Sequence, residues 1–350
     1  MSLSNEEQAS LLQSLLRMGL IGQNEQPHLQ PLTGGVSSMI VLAHTAKGLV
    51  CVKRALAKLK VAADWQAPVE RSNAEVAWIR VAQRIVPRSV PEILGHDEPG
   101  LTFAMRYLDA DEFPVWKARL RDGRVNAETA RSVAQILAAI HNHTAERTWL
   151  AREFANDEAF SALRLDAYFA ESARRNPDCM AVMSRIIEAT RSTRRALVHG
   201  DVSPKNILEG KDRVILLDAE TATWGDPAFD LAFCLNHLLL KCVWRPASID
   251  GYLACYSLLH QEYLKAVRFE AAEALQMRAC ALLAALLLAR VDGKSPVEYI
   301  TAEAERSAVR QFAKTQLAAL PHTLDAIGDA WNAWWRPQDA QGFHQRLPNC

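Results

Sequence analysis

His199-Gly200-Asp201-Val202-Ser203-Pro204-Lys205-Asn206 is a polar stretch set between two short apolar runs, Ala196-Leu197-Val198 and Val214-Ile215-Leu216-Leu217. The second run leads into Asp218-Ala219-Glu220. Both runs read as strands, in a region whose hydrophobic period is otherwise helical. An Asp and an Asn five apart on a loop, with a second Asp behind a strand, can converge on one cation. Asn206 and Asp218 are hard oxygen donors of the kind Mg²⁺ prefers. Asp201 is then available to orient a hydroxyl and take its proton. Phosphoryl transfer from ATP asks for little more, because positioning and charge neutralisation carry most of it. Taken singly, each residue has a plainer reading: His-Gly-Asp is a common turn, Asn206 a turn residue and Asp218 a strand-end cap. Their order and spacing favour the chemical reading.

Toward the N-terminus the pattern changes to period two. Met39 to His44 and Leu49 to Ala55 read as a hairpin closed by Thr45-Ala46-Lys47-Gly48. Helices are expected over 5–20 and 69–84, with two more strands at 93–96 and 101–108. Thr33-Gly34-Gly35-Val36-Ser37-Ser38 precedes the first clear strand. Glycines there let backbone N–H groups approach phosphates, and Ser37 or Ser38 adds a hydroxyl. Lys53 lies on the following strand. Beyond Tyr107 the sequence turns helical, with expected helices over 127–143, 156–192, 228–243, 248–267, 270–291 and 301–335. The fold class is therefore α+β: a small antiparallel-sheet lobe over 1–107 and a larger helical lobe over 108–350.

The segment His199-Gly200-Asp201 through Asn206 resembles the H-G-D-x-x-x-x-N loop of the aminoglycoside phosphotransferase and choline kinase superfamily, which shares its architecture with protein kinases. Asp218-Ala219-Glu220 is similar to its D-x-E segment. Gly225-Asp226-Pro227-Ala228-Phe229-Asp230-Leu231-Ala232 is similar to its G-D-P-x-x-D-L-A segment, in which Asp230 is expected to brace the catalytic loop. Gly34, Gly35 and Ser37 resemble its short G-G-x-S loop. The resemblance covers residues 28 to 240 well. It implies a protein-kinase-like bilobal fold, ATP and Mg²⁺ as cofactors, Asp201 as catalytic base, and Asn206 and Asp218 as metal ligands. It also implies that Lys53 holds the α/β-phosphates, paired with a helix glutamate, expected to be Glu75 with Glu70 as the alternative. Phe103 to Leu108 resembles the hinge, which places Met105 and Tyr107 at adenine.

Some residues depart from the pattern. Ser203 stands where protein kinases carry Lys and many aminoglycoside kinases carry His. Lys205 stands where Gly is common, and reads equally as a phosphate or substrate contact and as a solvated charge. No A-P-E follows, and the stretch from Glu220 to Gly225 is too short for a long activation segment, which disfavours a protein kinase. The acceptor is expected to be a small polar molecule: sugar-like, an amino alcohol or of aminoglycoside type. Candidate contacts are Ser203, Lys205 and Glu220, then His237, Lys241 and Trp244 on one helix, and Arg290, Asp292 and Lys294 beyond it. Arg290-Val291-Asp292-Gly293-Lys294-Ser295-Pro296 is similar to the arginine-bearing segment of methylthioribose kinases. Helix capping by Arg290 and Gly293 is the plainer reading of this stretch and the favoured one.

Composition narrows the partners. Forty basic residues balance forty acidic ones, so there is no global pull on nucleic acid or anionic lipid. No acidic run marks the helical lobe, which disfavours a polycationic acceptor. The most apolar run, Ala279 to Ala289, is too short to cross a bilayer. Seven scattered cysteines without a C-x-x-C pair, and no secretory signal, point to a reduced, cytoplasmic protein. Cys234, His237 and Cys242 match no common zinc spacing. A non-catalytic nucleotide-binding protein on the same fold is the alternative to an enzyme.

Overall fold

The computed structural model describes residues 3–32, 38–56, 71–145 and 147–336. Helix α1 (Asn5–Arg17) starts at a reciprocal cap in which the Ser4 hydroxyl accepts from the Glu7 N–H and the Glu7 carboxylate accepts from the Ser4 N–H. Five strands then form one antiparallel sheet: β1 (His28–Pro31), β2 (Ser38–Thr45), β3 (Gly48–Ala55), β4 (Ile93–Asp97) and β5 (Thr102–Arg106), in the order β1-β2-β3-β5-β4. Helix α2 (Arg71–Ile85) lies between β3 and β4 in sequence.

Period two decides what each sheet face does. Val41, Ala43, Val50, Val52 and Ala104 pack with Leu11 and Leu15 of α1 in a small core of their own. Cys51, Phe103 and Met105 belong instead to the main core, which includes α2. Lys53 shares the parity of Cys51 and pairs with Phe103 across the sheet. The alternation that buries the valines on α1 therefore turns Lys53 toward α2.

The helical lobe contains α3 (Trp116–Arg121), α4 (Ala127–Thr144), α5 (Leu150–Glu153), α6 (Asp157–Phe160), α7 (Glu171–Arg175), α8 (Met180–Ser192), α9 (Pro227–Trp244), α10 (Ile249–Ala266), α11 (Ala272–Asp292), α12 (Glu303–Ala319) and α13 (Leu324–Trp335). Two small sheets interrupt it. One pairs β6 (Ala196–Val198) with β9 (Thr223–Gly225), the other β7 (Ile207–Glu209) with β8 (Val214–Leu216). Helix α9 is buried along its whole length except at Trp244, as a helix apolar on all sides must be. Asp226 caps it and Pro227 occupies its first turn.

Several elements differ from the sequence expectation. The stretch 156–192 is not one helix: Ser161–Ala170 winds as a π-helix, and the chain breaks at Asn176-Pro177 because proline has no N–H to continue the ladder. The stretch 301–335 breaks at Leu320, whose left-handed backbone ends α12 just before Pro321. The apolar run Ala279 to Ala289 is part of a 21-residue helix, long and apolar enough by length and composition to span a membrane. It is buried among α9, α12 and α13.

Candidate active site

The His199–Asn206 loop is fixed from beneath. Asp230, in the first turn of α9 and fully buried, accepts the backbone N–H groups of His199 at 2.7 Å and Gly200 at 2.8 Å. His141 of α4 lies 3.2 Å from the same carboxylate and is itself held by the Tyr263 hydroxyl at 2.7 Å. Gly200 has φ +78°, and a Cβ there would sit 2.6 Å from Thr221 Oγ1 and 2.9 Å from its carbonyl oxygen, so no side chain fits. The His199 Nε2 lies 3.0 Å from the Leu217 carbonyl, and Nδ1 accepts the Asp201 N–H at 3.2 Å. These partners assign the proton to Nε2. Burial holds this ring below its ordinary pKa despite Asp230 and Asp201. A neutral histidine thus ties the loop to the end of β8.

Asp201 is buried, with Lys205 Nζ at 3.1 Å and Arg164 Nη2 at 3.2 Å from Oδ2. Burial works to raise its pKa, but Lys205 and Arg164 outweigh it, and the carboxyl is held below its ordinary value. Arg164 also donates to the Gly200 carbonyl at 2.6 Å. Asn206 donates from Nδ2 to the Asp201 carbonyl at 3.0 Å, which leaves its Oδ1 without a hydrogen bond among the described residues. The Ser203 hydroxyl is buried with no partner among the described residues.

Lys53 arrives from β3, Glu75 from α2 and Asp218 from the end of β8. Lys53 Nζ donates to both Glu75 oxygens at 2.7 and 2.8 Å, and to Asp218 Oδ1. Burial opposes the lysine charge, but Asp218, Glu75 and Glu220 together raise its pKa. Burial likewise works against Asp218, yet Lys53 and Lys205 hold it well below the carboxylate range. Glu75 moves the other way, raised by burial that Lys53 offsets only in part. Asp218 has φ +67°, an unusual backbone for a non-glycine residue that Asp tolerates better than most. Its neighbour Glu220 accepts from Arg71 Nε at 2.9 Å, and Arg71 Nη2 donates to the Leu56 carbonyl at 2.7 Å. The D-x-E segment is therefore tied to both β3 and α2.

Met105 is buried at the end of β5, and Tyr107 follows it half-buried. Ser38 is buried at the start of β2. Gly34, Gly35, Ser37 and Glu70 lie outside the described residues. On the helical side, the His237 ring packs against Phe233 at 5.4 Å. Lys241 Nζ lies over the ring faces of Tyr299 at 3.7 Å and Trp244 at 4.4 Å. Arg290 donates from Nη1 to the Tyr168 hydroxyl at 3.1 Å and to the Ser295 carbonyl. Asp292 is turned elsewhere: Arg310 holds both of its oxygens at 2.7 and 2.8 Å, and Asn176 donates to it at 2.9 Å. Lys294 has an exposed side chain, and its N–H donates to the Ala167 carbonyl at 2.8 Å. The sequence reading missed Arg164 and Arg71. Arg164 left a signal, a charge flanked by Leu163 and Leu165 in an apolar run; Arg71 left none.

A strand lysine, a helix glutamate, a D-x-E turn and a braced H-G-D loop define a protein-kinase-like fold. The family model of the phosphotransferase enzyme family, APH, matches residues 28–257, and the chain belongs to that family. Methylthioribose kinase of Pectobacterium carotovorum subsp. carotovorum (strain PC1) is 24% identical over 229 residues, covering 58% of this chain and 56% of that protein. The chain thus spans little more than half the length of this relative. The Plasmodium vivax ethanolamine kinase structure superposes with a TM-score of 0.54 at 11% identity, over 91% of this chain and 90% of that one. Amicoumacin kinase hAmiN, in complex with AMP-PNP, Ca²⁺ and Ami, superposes with a TM-score of 0.51 at 15% identity, over 92% and 98%.

Proposed function

We propose that the protein is an ATP-dependent kinase that transfers the γ-phosphoryl group to a hydroxyl of a small polar metabolite. One observation carries this reading: Lys53, Glu75 and Asp218, from a strand, a helix and a loop, meet in one hydrogen-bonded group beside the Asp201 loop. Lys53 serves the α/β-phosphates and Glu75 orients it. Gly34, Gly35, Ser37 and Ser38 contribute to the phosphate loop, and Met105 and Tyr107 flank adenine. Asp201 receives the acceptor hydroxyl's proton as its oxygen bonds to the γ-phosphorus and the bond to the β-phosphate oxygen breaks, releasing ADP. A carboxylate whose pKa is held down is a weak base, so its main task is to aim the hydroxyl.

The residues present suit a hard divalent cation. Asn206 Oδ1 and Asp218 Oδ2 make no hydrogen bond among the described residues, and both are oxygen donors. Mg²⁺, when bound, neutralises phosphate charge. Two protein oxygens leave the rest of its shell to nucleotide and water. Amicoumacin kinase hAmiN, which shares the fold, binds AMP-PNP with Ca²⁺, and this supports the assignment. Cytoplasmic residence and a lobe boundary at 107/108 belong to the same reading. The test is Asp201→Ala. Phosphoryl transfer should fall by roughly 10²-fold or more, with ATP binding retained by calorimetry; turnover equal to wild type overturns the proposal.

A further inference from the structure

A buried basic group without a counter-ion is unfavourable as a cation: it gives up its proton or waits for an anion, and beside a reaction centre a ligand can supply that anion. Two such groups lie on the helical side of Asp201. Arg290 is 8% exposed. Its Nη1 is used by Tyr168 and Ser295, while Nε and Nη2 make no hydrogen bond among the described residues, and no carboxylate there lies within ion-pair distance of it. Lys241 is 1% exposed and has neither a hydrogen bond nor a carboxylate partner among the described residues. Its Nζ rests on the faces of Tyr299 and Trp244, which favour the protonated form once an anion is bound. The neighbouring Lys117 is neutralised by Glu298, and Asp292 is occupied by Arg310.

These groups are continuous with the reaction centre. Arg164, which pairs with Asp201, and Arg290 both lie over the ring of Tyr168, at 5.6 and 5.3 Å. Phe233 stacks on Tyr168 and touches His237, one helical turn before Lys241. Lys205 and Arg164 already offset Asp201 twice over. The wall from Lys205 to Lys241 therefore carries a surplus of positive charge.

We propose that this wall is an oxyanion subsite and that the acceptor is a hydroxylated acid, its carboxylate or phosphate held by Arg290 and Lys241 while its hydroxyl faces Asp201. The inference rests on the phosphotransfer reading above. The free Nε–Nη2 edge of Arg290 presents two parallel donors, the arrangement that suits a planar oxyanion. The same surplus repels amino alcohols and aminoglycosides.

The test compares acceptors matched in skeleton: gluconate, glucose and glucosamine; glycerate and glycerol; ribose 5-phosphate and ribose. ADP release is measured for wild type, Arg290→Met and Lys241→Met, with calorimetric binding of each probe in the presence of ADP and Mg²⁺. The expected result is a kcat/KM at least about tenfold higher for an anionic member than for its neutral partner, carried by KM and lost in both variants. Carboxylates and phosphates separate which anion is read. Preference for neutral or cationic members, with KM unchanged in both variants, overturns the subsite and leaves the kinase reading intact. If no acceptor stimulates ADP release, the kinase reading fails for these acceptors, and calorimetry decides the subsite alone. Anion binding lost in Arg290→Met then supports it; equal binding of charged and neutral probes overturns it.

Discussion

The two sides of Asp201 treat buried charge in opposite ways. On the nucleotide side, Lys53 lies between Glu75 and Asp218, and Arg71 is matched to Glu220. Each of these cations has a carboxylate, and Lys53–Asp218 and Arg71–Glu220 join the sheet lobe to the helical lobe. On the acceptor side, Arg290 and Lys241 are also buried, yet aromatic rings and neutral oxygens contact them and no carboxylate among the described residues lies within ion-pair distance. A matched pair can fix geometry before any ligand arrives. An unmatched cation gains its full interaction only when an anion comes. The first side is built to hold two lobes in register, and the second to discriminate between ligands.

The comparison breaks most readily at Asp218. Asp218→Asn keeps the side chain's shape and removes the charge shared with Lys53. Turnover is expected to drop by roughly 10³-fold, the scale of losing an electrostatic group at a reacting phosphate. Acceptor binding in calorimetry should be unaffected, because Arg290 and Lys241 do not contact it. An unchanged kcat would mean that the paired cluster is scaffolding and not part of the reaction.

Arg71 tests the structural half of the contrast. Arg71→Met leaves Glu220 buried without its partner across the lobes, a change that destabilises by about 3–5 kcal/mol in comparable settings. Arg71→Met with Glu220→Leu replaces the pair by apolar groups and should recover most of that loss. Urea midpoints for the two variants decide it. Equal destabilisation in the single and double variants would show that Arg71 acts through other contacts, such as its bond to Leu56.

The chemistry was legible where it is local. Residues 199–206 and 218–220 are short stretches in which spacing brings Asp201, Asn206 and Asp218 together, while Asp230 in 225–232 and the strand position of Lys53 came from the resemblance. Glu75, the expected partner of Lys53, meets it in the structure, and Glu70 lies outside the described residues. What could not be read depends on distant packing. Arg164 reaches Asp201 from a π-helix, where the side-chain angle per residue departs from the helical period used to read the sequence. Asp292 was grouped with Arg290 by proximity in sequence, but α12 brings Arg310 to it and withdraws it from the cleft. The break at Leu320 similarly follows from one left-handed residue ahead of Pro321.

Lys241 gives the smallest effect and the one most specific to a buried lysine without a carboxylate partner. Burial, with Lys117 and Arg290 nearby, pushes its pKa down to about 6, and Glu298 opposes that shift. His237, close on the same helix, is kept neutral by burial and by Arg290, Lys241, Lys205 and Lys117, and adds no charge in this range. Unfolded, the lysine binds its proton up to its ordinary value of 10.5. Between pH 6 and 10.5 the unfolded chain therefore holds one more proton than the native chain. Stability then rises with pH across that window, and the penalty from this group is fully in force below it. From pH 7 to 9 the contribution has a slope of up to ~1.4 kcal/mol per pH unit. Lys241→Met should remove this slope, raise the urea midpoint at pH 7 and weaken binding of an anionic acceptor, so that stability and recognition move in opposite directions. A variant with the wild-type slope would show that Lys241 stays charged in the fold without a ligand, and the contrast between matched and unmatched sides would then rest on Arg290 alone.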